Sequence, residues 1–113
     1  MKDYHEPVEE ISDQTREFTR ALNSLKEEIE AIDWYQQRAD VTKDENLKKI
    51  LLHNRNEEIE HACMALEWLR RNMDGWEEQL KLYLFSEGEI TGLEEEQEEE
   101  TNEKSDLGIG KLS

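Results

Sequence analysis

Glu58 and His61 are the two residues of this sequence whose types and spacing most directly suggest chemistry. They stand three apart in a segment that favours helix, so both side chains lie on one helix face, about one turn apart, and can reach the same ion. A ligand set of carboxylates and imidazole without thiolate favours iron or manganese over a structural zinc site. The pair therefore suggests part of a metal centre.

The pair also occupies positions where this helix should place buried apolar residues. Spacings of four and three align residues along the packed face of a helix, and at those spacings the stripe reads Leu47, Leu51, Asn54, Glu58, His61, Ala65 and Trp68. Three consecutive members are polar. Because a buried carboxylate without a partner costs several kcal/mol, these groups must satisfy one another or bind something. A metal ion would satisfy them.

A preceding helix supplies another carboxylate. It is predicted to start at Ser12, or earlier at Pro7, and to run to about Asp40. Its apolar residues repeat at spacings of four and three: Phe18, Leu22, Leu25, Ile29 and Ile32. Glu28 borders this seam and can point inward with it. The break "VTKDEN", in which Thr42 and Glu45 have the spacing of a capping box, is short, so the two helices should form an antiparallel hairpin.

One such hairpin encodes half of a known kind of metal centre. The di-iron carboxylate sites of four-helix bundles use two lone glutamates and two Glu-x-x-His pairs, whereas this chain offers Glu28 and the pair Glu58 and His61. Composition requires a partner as well, because 35% of the residues are hydrophobic against about 45–50% in ordinary domains. We therefore expect an all-α fold, an antiparallel two-helix hairpin plus a short C-terminal helix, that dimerises into a four-helix bundle.

Charge and composition limit the classes of partner. The formal net charge of -16 argues against nucleic acid, whose recognition rests on lysine and arginine, and suits metal cations. No apolar run approaches the ~18 residues of a membrane helix, and the N-terminus lacks the apolar centre of a signal peptide. We expect no membrane partner and a cytoplasmic location. Cys63, the single cysteine, is predicted to be a small buried side chain.

Four segments are predicted along the chain. Residues 1–10 form an N-terminal arm, and residues 11–86 form the hairpin with its short third helix. Residues 87–105 are so rich in glutamate that a disordered linker is expected. Residues 106–113, "DLGIGKLS", return to apolar side chains among glycines, a pattern that suits an extended peptide docked in a groove.

Three runs resemble a known family: "EEIEAIDWY" at 27–35, "HNRNEEIEHACMALEWLRRN" at 53–72 and "LYLF" at 82–85. They closely resemble the encapsulated ferritins, the small ferritin-like cargo of encapsulin nanocompartments. The resemblance implies a homo-oligomer, a ferritin-like four-helix-bundle dimer assembled into a ring-shaped decamer of five dimers. It also implies ferroxidase activity, the oxidation of Fe(II) to Fe(III) at a diiron site between two subunits, with iron delivered for mineral storage inside the encapsulin shell.

The resemblance assigns roles to individual residues. It makes Glu28, Glu58 and His61 the catalytic iron ligands, contributed by both chains of a dimer. Glu27 and Glu30 match acidic positions at which metal enters.

Four further residues are expected around the ligands. Trp34 matches an aromatic residue beside the metal entry site, and Tyr35 lies on the same helix face as Glu28. Packing at an oligomer interface explains both aromatic residues equally well. His53 and Asn54, one to two turns before Glu58, are candidates to orient the ligands.

The ending resembles the docking peptide by which cargo binds the inner wall of an encapsulin shell. The docking residues are Leu107, Gly108, Ile109, Gly110 and Leu112. Lys111 departs from the small residue usual at its position. The expected location is therefore cytoplasmic, inside an encapsulin nanocompartment.

Two other functions fit the same residues. A ferritin-like bundle that holds metal only for assembly or buffering needs the same ligands. Another diiron oxidase or peroxidase needs them together with a substrate pocket, for which the sequence carries no motif.

Overall fold

The structure is a computed structural model that describes residues 4–99. Over that range the backbone is helical apart from turns and short connections, and it contains no strand, so the expected all-α class is confirmed. No helix in this range is long and apolar enough to cross a membrane. The chain divides into two compact units, with the boundary between Asp74 and Gly75. The docking peptide predicted at 106–113 lies outside the described residues.

The first unit is built on a helical hairpin. Helix α1 spans Asp13–Val41 and helix α2 spans Glu45–Asn72, and the two pack along each other. Phe18, near the start of α1, meets Trp68, near the end of α2, with ring centroids 6.2 Å apart. This pairing makes the helices antiparallel, as the short connection predicted.

The start of each long helix is fixed by a side-chain cap. Ser12 caps α1 as expected, with its hydroxyl accepting a hydrogen bond from the backbone N–H of Thr15 at 3.1 Å. The predicted cap of α2 was wrong, because Asp44 rather than Thr42 accepts from the N–H of Leu47, at 2.9 Å. Aspartate is the stronger N-cap of the two. The Thr42 hydroxyl instead accepts from the N–H of Asp44 within the connection.

Few side chains of the hairpin are buried. Ala39 is 1% exposed and Leu69 is fully buried, so Leu69 replaces the predicted Trp68 at that end of the buried seam. Trp68 is 37% exposed, and Cys63, predicted to be buried, is exposed. Each helix of a hairpin packs against one other long helix, so only one of its own faces is covered.

The second unit begins with helix α3, Trp76–Tyr83. Its N-cap is Gly75, whose φ of 102° belongs to the left-handed region that favours glycine. Residues 93–99 are also helical, and Leu93 is buried, where the sequence predicted a disordered linker over 87–105. Glutamate is a good helix former, so a glutamate-rich segment can be helical. The predicted domain limits themselves stay a prediction.

The last turns of α2 hold a carboxylate between two guanidinium groups. Arg70 donates to both oxygens of Glu67 at 2.7 Å, and Arg71 donates from Nε at 2.6 Å. These charged hydrogen bonds lower the pKa of Glu67 from 4.5 to about 2. The Glu67 side chain is 43% exposed, so its contribution to the free energy of unfolding is small.

Glu67→Gln should remove a stabilising contribution that depends on pH. A carboxyl group whose pKa is lowered by folding stabilises the folded state above its unfolded pKa, so the contribution is complete above about pH 4.5 and disappears as the pH falls toward about 2. Urea unfolding should find the wild type more stable at neutral pH and the two proteins equal in acid. A difference that is constant with pH would contradict this origin.

Candidate metal centre

The hairpin brings Glu28 of α1 together with Glu58 and His61 of α2. His61 Nδ1 lies 3.6 Å from an oxygen of Glu28 and 3.6 Å from an oxygen of Glu58. One ligand atom from each residue lies within 4.8 Å of the other two, and no other group of three or more potential metal ligands is found among residues 4–99. Donor atoms that share an ion through bonds of ~2.1 Å lie roughly 3–4 Å apart, so this spacing suits one shared ion.

The local fold explains the arrangement. Glu58 and His61 are one turn apart on α2, and the antiparallel register sets Glu28 opposite them. Contacts of 3.6 Å are longer than normal hydrogen bonds, so the donors face a common space without closing on one another. The side chains are 26%, 23% and 42% exposed for Glu28, Glu58 and His61, which leaves the space open to ions from solvent.

The chemistry of the donors fits iron. Two carboxylates and an imidazole provide hard oxygen and borderline nitrogen atoms, which suit Fe(II) and Mn(II). The carboxylates also compensate the charge of a divalent cation, which half-burial would otherwise penalise. The ligand role of these three residues nevertheless stays a prediction, because it rests on an arrangement of donors alone.

His53 lies beside a glutamate that is outside the three-residue cluster. Its Nε2 lies 3.6 Å from Glu57, and these side chains are 70% and 49% exposed. Glu57 and Glu60, which flank Glu58 and His61 in the sequence, are exposed. Asn54 is half-buried. The proposed orienting roles of His53 and Asn54 stay predictions.

The predicted aromatic and acidic neighbours lie on α1. Glu27 and Glu30 are exposed, as a site that receives metal from solvent requires. Trp34 is 52% exposed. Tyr35 is half-buried, and the guanidinium carbon of Arg38 lies 5.4 Å from the centre of its ring, within the range of a cation–π contact.

A second stripe on α2 was missed in the sequence. Its apolar members Ile50, Met64 and Trp68 are 56%, 57% and 37% exposed, and His61 belongs to it at spacings of four and three. We call the set the exposed stripe: Ile50, Asn54, Glu57, His61, Met64 and Trp68. The periodic signal was present, but it overlaps the first stripe at Asn54, His61 and Trp68, so the two could not be separated without knowing where α1 packs.

Comparison with known proteins places the chain in a family. A family model described as EncFtn-like matches residues 3–87. The chain belongs to the EncFtn-like family. It is 61% identical over 110 residues to a ferritin-like protein of Thermotoga maritima, covering 96% of each chain. It is 54% identical over 90 residues to an encapsulated ferritin-like protein of Rhodospirillum rubrum, covering 80% of this chain and 64% of that protein.

A solved structure agrees with the EncFtn-like assignment. The crystal structure of protein ne0167 from Nitrosomonas europaea matches with a TM-score of 0.75 and 53% identity, covering 77% of this chain and 96% of that one. EncFtn-like membership confirms the resemblance to encapsulated ferritins and the ferritin-like fold. It also gives the chain an iron-related role and implies that it binds iron.

His61→Ala should weaken metal binding far more than His53→Ala. Both histidines lie on α2 with a glutamate at 3.6 Å, but only His61 also faces Glu28. Loss of this donor should lower the affinity for Co(II), a spectroscopic substitute for Fe(II), by more than about tenfold, since changes around a ligand shell already cost that much. Visible absorption during Co(II) titration measures the affinity, and equal losses in the two variants would contradict the assignment.

Proposed function

We propose that the protein is a ferroxidase whose catalytic centre forms between two copies of the chain. The observation that carries the proposal is the cluster of Glu28, Glu58 and His61. Two copies double its two carboxylates and one imidazole to four carboxylates and two imidazoles, which is the ligand set of di-iron carboxylate bundles. Iron is the substrate, two ions at each shared centre.

The exposed stripe supports a second copy as the partner. His61 lies in this stripe between the exposed apolar residues Ile50 and Met64, and α1 carries Leu22 and Ile29, which are 37% and 54% exposed. Covering apolar surface stabilises by roughly 25 cal/mol per Å². A two-fold contact sets the same patch of both copies face to face, so burying this stripe brings the two three-ligand sets together. The proposal includes the assembly of five such dimers into a ring.

Electrostatics then favours oxidation at such a centre. Four carboxylates balance the charge of two Fe(II) ions, and each ion gains one positive charge when it is oxidised. Hard oxygen ligands hold the more highly charged ion more tightly, which favours transfer of the electrons to an oxidant. With dioxygen, two Fe(II), one O2 and two protons give two Fe(III) and one hydrogen peroxide.

Storage is proposed to occur in a separate container. A pair of hairpins encloses no volume for mineral, so Fe(III) has to leave the centre. The Rhodospirillum rubrum relative is described as encapsulated, and the predicted docking peptide at 106–113 supplies a means of attachment to an encapsulin shell. The exposed Glu27 and Glu30 would attract Fe(II) toward the centre, and the protein would act in the cytoplasm inside the shell.

Removal of any one ligand should abolish rapid iron oxidation. Glu28→Ala, Glu58→Ala and His61→Ala each take two donors from a shared centre, one from each copy, so oxygen uptake after Fe(II) addition should fall to the rate of iron alone. Glu60→Ala is the matched control, because this exposed glutamate lies near Glu58 on α2 but outside the exposed stripe. In the wild type, Fe(III) absorbance should grow beyond the binding stoichiometry; growth that stops there would favour the binding-only alternative.

Ile50→Glu should prevent the two-copy contact, whereas Ile59→Glu should preserve it. Both isoleucines are exposed on α2, at 56% and 42%, but Ile59 lies outside the exposed stripe, on the opposite side of the helix. A charge buried in an apolar contact is strongly unfavourable. Native mass spectrometry should show single chains for Ile50→Glu and assemblies built from paired chains for Ile59→Glu. Paired chains that retain oxidation in Ile50→Glu would contradict the proposed contact.

A further inference from the structure

We propose that Arg55 is a positioning residue for the candidate metal centre. Its hydrogen bond to Gln36 connects α2 to α1, and this bond helps to fix the register in which Glu28 lies opposite Glu58 and His61. The inference rests on the proposed function only in taking those three residues as the working metal ligands.

The guanidinium group of Arg55 is arranged to reach across the hairpin. Its Nε and Nη2 donate to the side-chain oxygen of Asn56, at 3.3 Å and 2.9 Å. Its Nη1 donates to the side-chain oxygen of Gln36 on α1. Because the contacts with Asn56 already fix the plane of the group, little further side-chain entropy is lost when the bond to α1 forms. Arg55 itself is half-buried.

The hydrogen bond between Arg55 and Gln36 lies close to the ligands. Arg55 precedes Glu58 by three residues, about 4.5 Å along the helix axis at ~1.5 Å per residue. The aromatic contact of Phe18 with Trp68 lies on the other side of the ligands, seven residues beyond His61 and about 10 Å away along the axis. The candidate centre is therefore bracketed by two contacts between helices, and the polar one is nearer.

A directional bond adds precision to the register that the apolar seam sets. Hydrophobic burial is non-directional, and the hairpin has few fully buried side chains. A shift of one residue along a helix turns the next side chain by ~100° and moves it by ~1.5 Å, which would take Glu28 away from His61. The hydrogen bond from Arg55 to Gln36 is lost over such a shift, since hydrogen bonds weaken steeply with distance and angle.

Co(II) titration of variants at the donor and at the acceptor of this hydrogen bond tests the role. Arg55→Ala and Gln36→Ala should each weaken Co(II) binding by about tenfold and reduce the ligand-field absorption at saturation, as loss of an orienting contact does. The double variant should be no weaker than Arg55→Ala, because both changes remove one bond. The matched control is Arg71→Ala, since Arg71 also lies on α2 but bonds Glu67 of its own helix.

The conservative variant separates position from charge. Arg55→Lys keeps the charge but lacks the planar fork, so its Co(II) affinity should fall as in Arg55→Ala. Wild-type affinity in Arg55→Lys or Arg55→Ala would overturn the proposal, as would additive losses in the double variant or an equal loss in Arg71→Ala. Gln36→Ala exchanges an exposed helical residue for a strong helix former, so this variant keeps the test decisive if Arg55→Ala does not fold.

The outcome is independent of the oxidation chemistry. If the wild type fails to oxidise Fe(II), the proposed function fails, but the Co(II) affinities still decide whether Arg55 positions the ligands. If the wild type oxidises Fe(II) and the Arg55 variants bind Co(II) normally, only the positioning role fails.

Discussion

The register of α1 against α2 is the constraint on which the candidate centre depends. Glu28 is thirty residues before Glu58 in the chain, and only antiparallel packing at one particular offset brings its carboxylate to 3.6 Å from His61. The short connection and the caps at Ser12 and Asp44 set where each helix begins. The distances between the three donors therefore depend on the whole hairpin rather than on a local motif.

Much of this arrangement could be predicted because its causes are local in the sequence. Helix periodicity follows from residues three and four apart, and the Ser12 cap follows from a single side chain. The grouping of Glu28 with Glu58 and His61 needed one further step. Polar residues in an apolar seam require partners, and a hairpin has only the opposite arm in which to find them.

The features that were predicted wrongly depend on what surrounds each helix. Periodicity identifies a face but not the number of neighbours that cover it, so Cys63 and Trp68 were assigned to an interior that one chain does not provide. The choice between Thr42 and Asp44 as the cap was a competition between two nearby oxygens. Residues 93–99 are helical, as the helix propensity of glutamate allows, whereas the expectation for the acidic segment was based on charge.

A chain that carries three of the required donors has a consequence for regulation. If complete centres need two chains, their number at low abundance rises with the square of the chain concentration, and oxidising capacity falls faster than the amount of protein when the protein is diluted. Confinement in a small volume raises the effective concentration and keeps the halves together. A container would then preserve the catalyst as well as hold its product, and free chains released from it would lose activity without any change to their own fold.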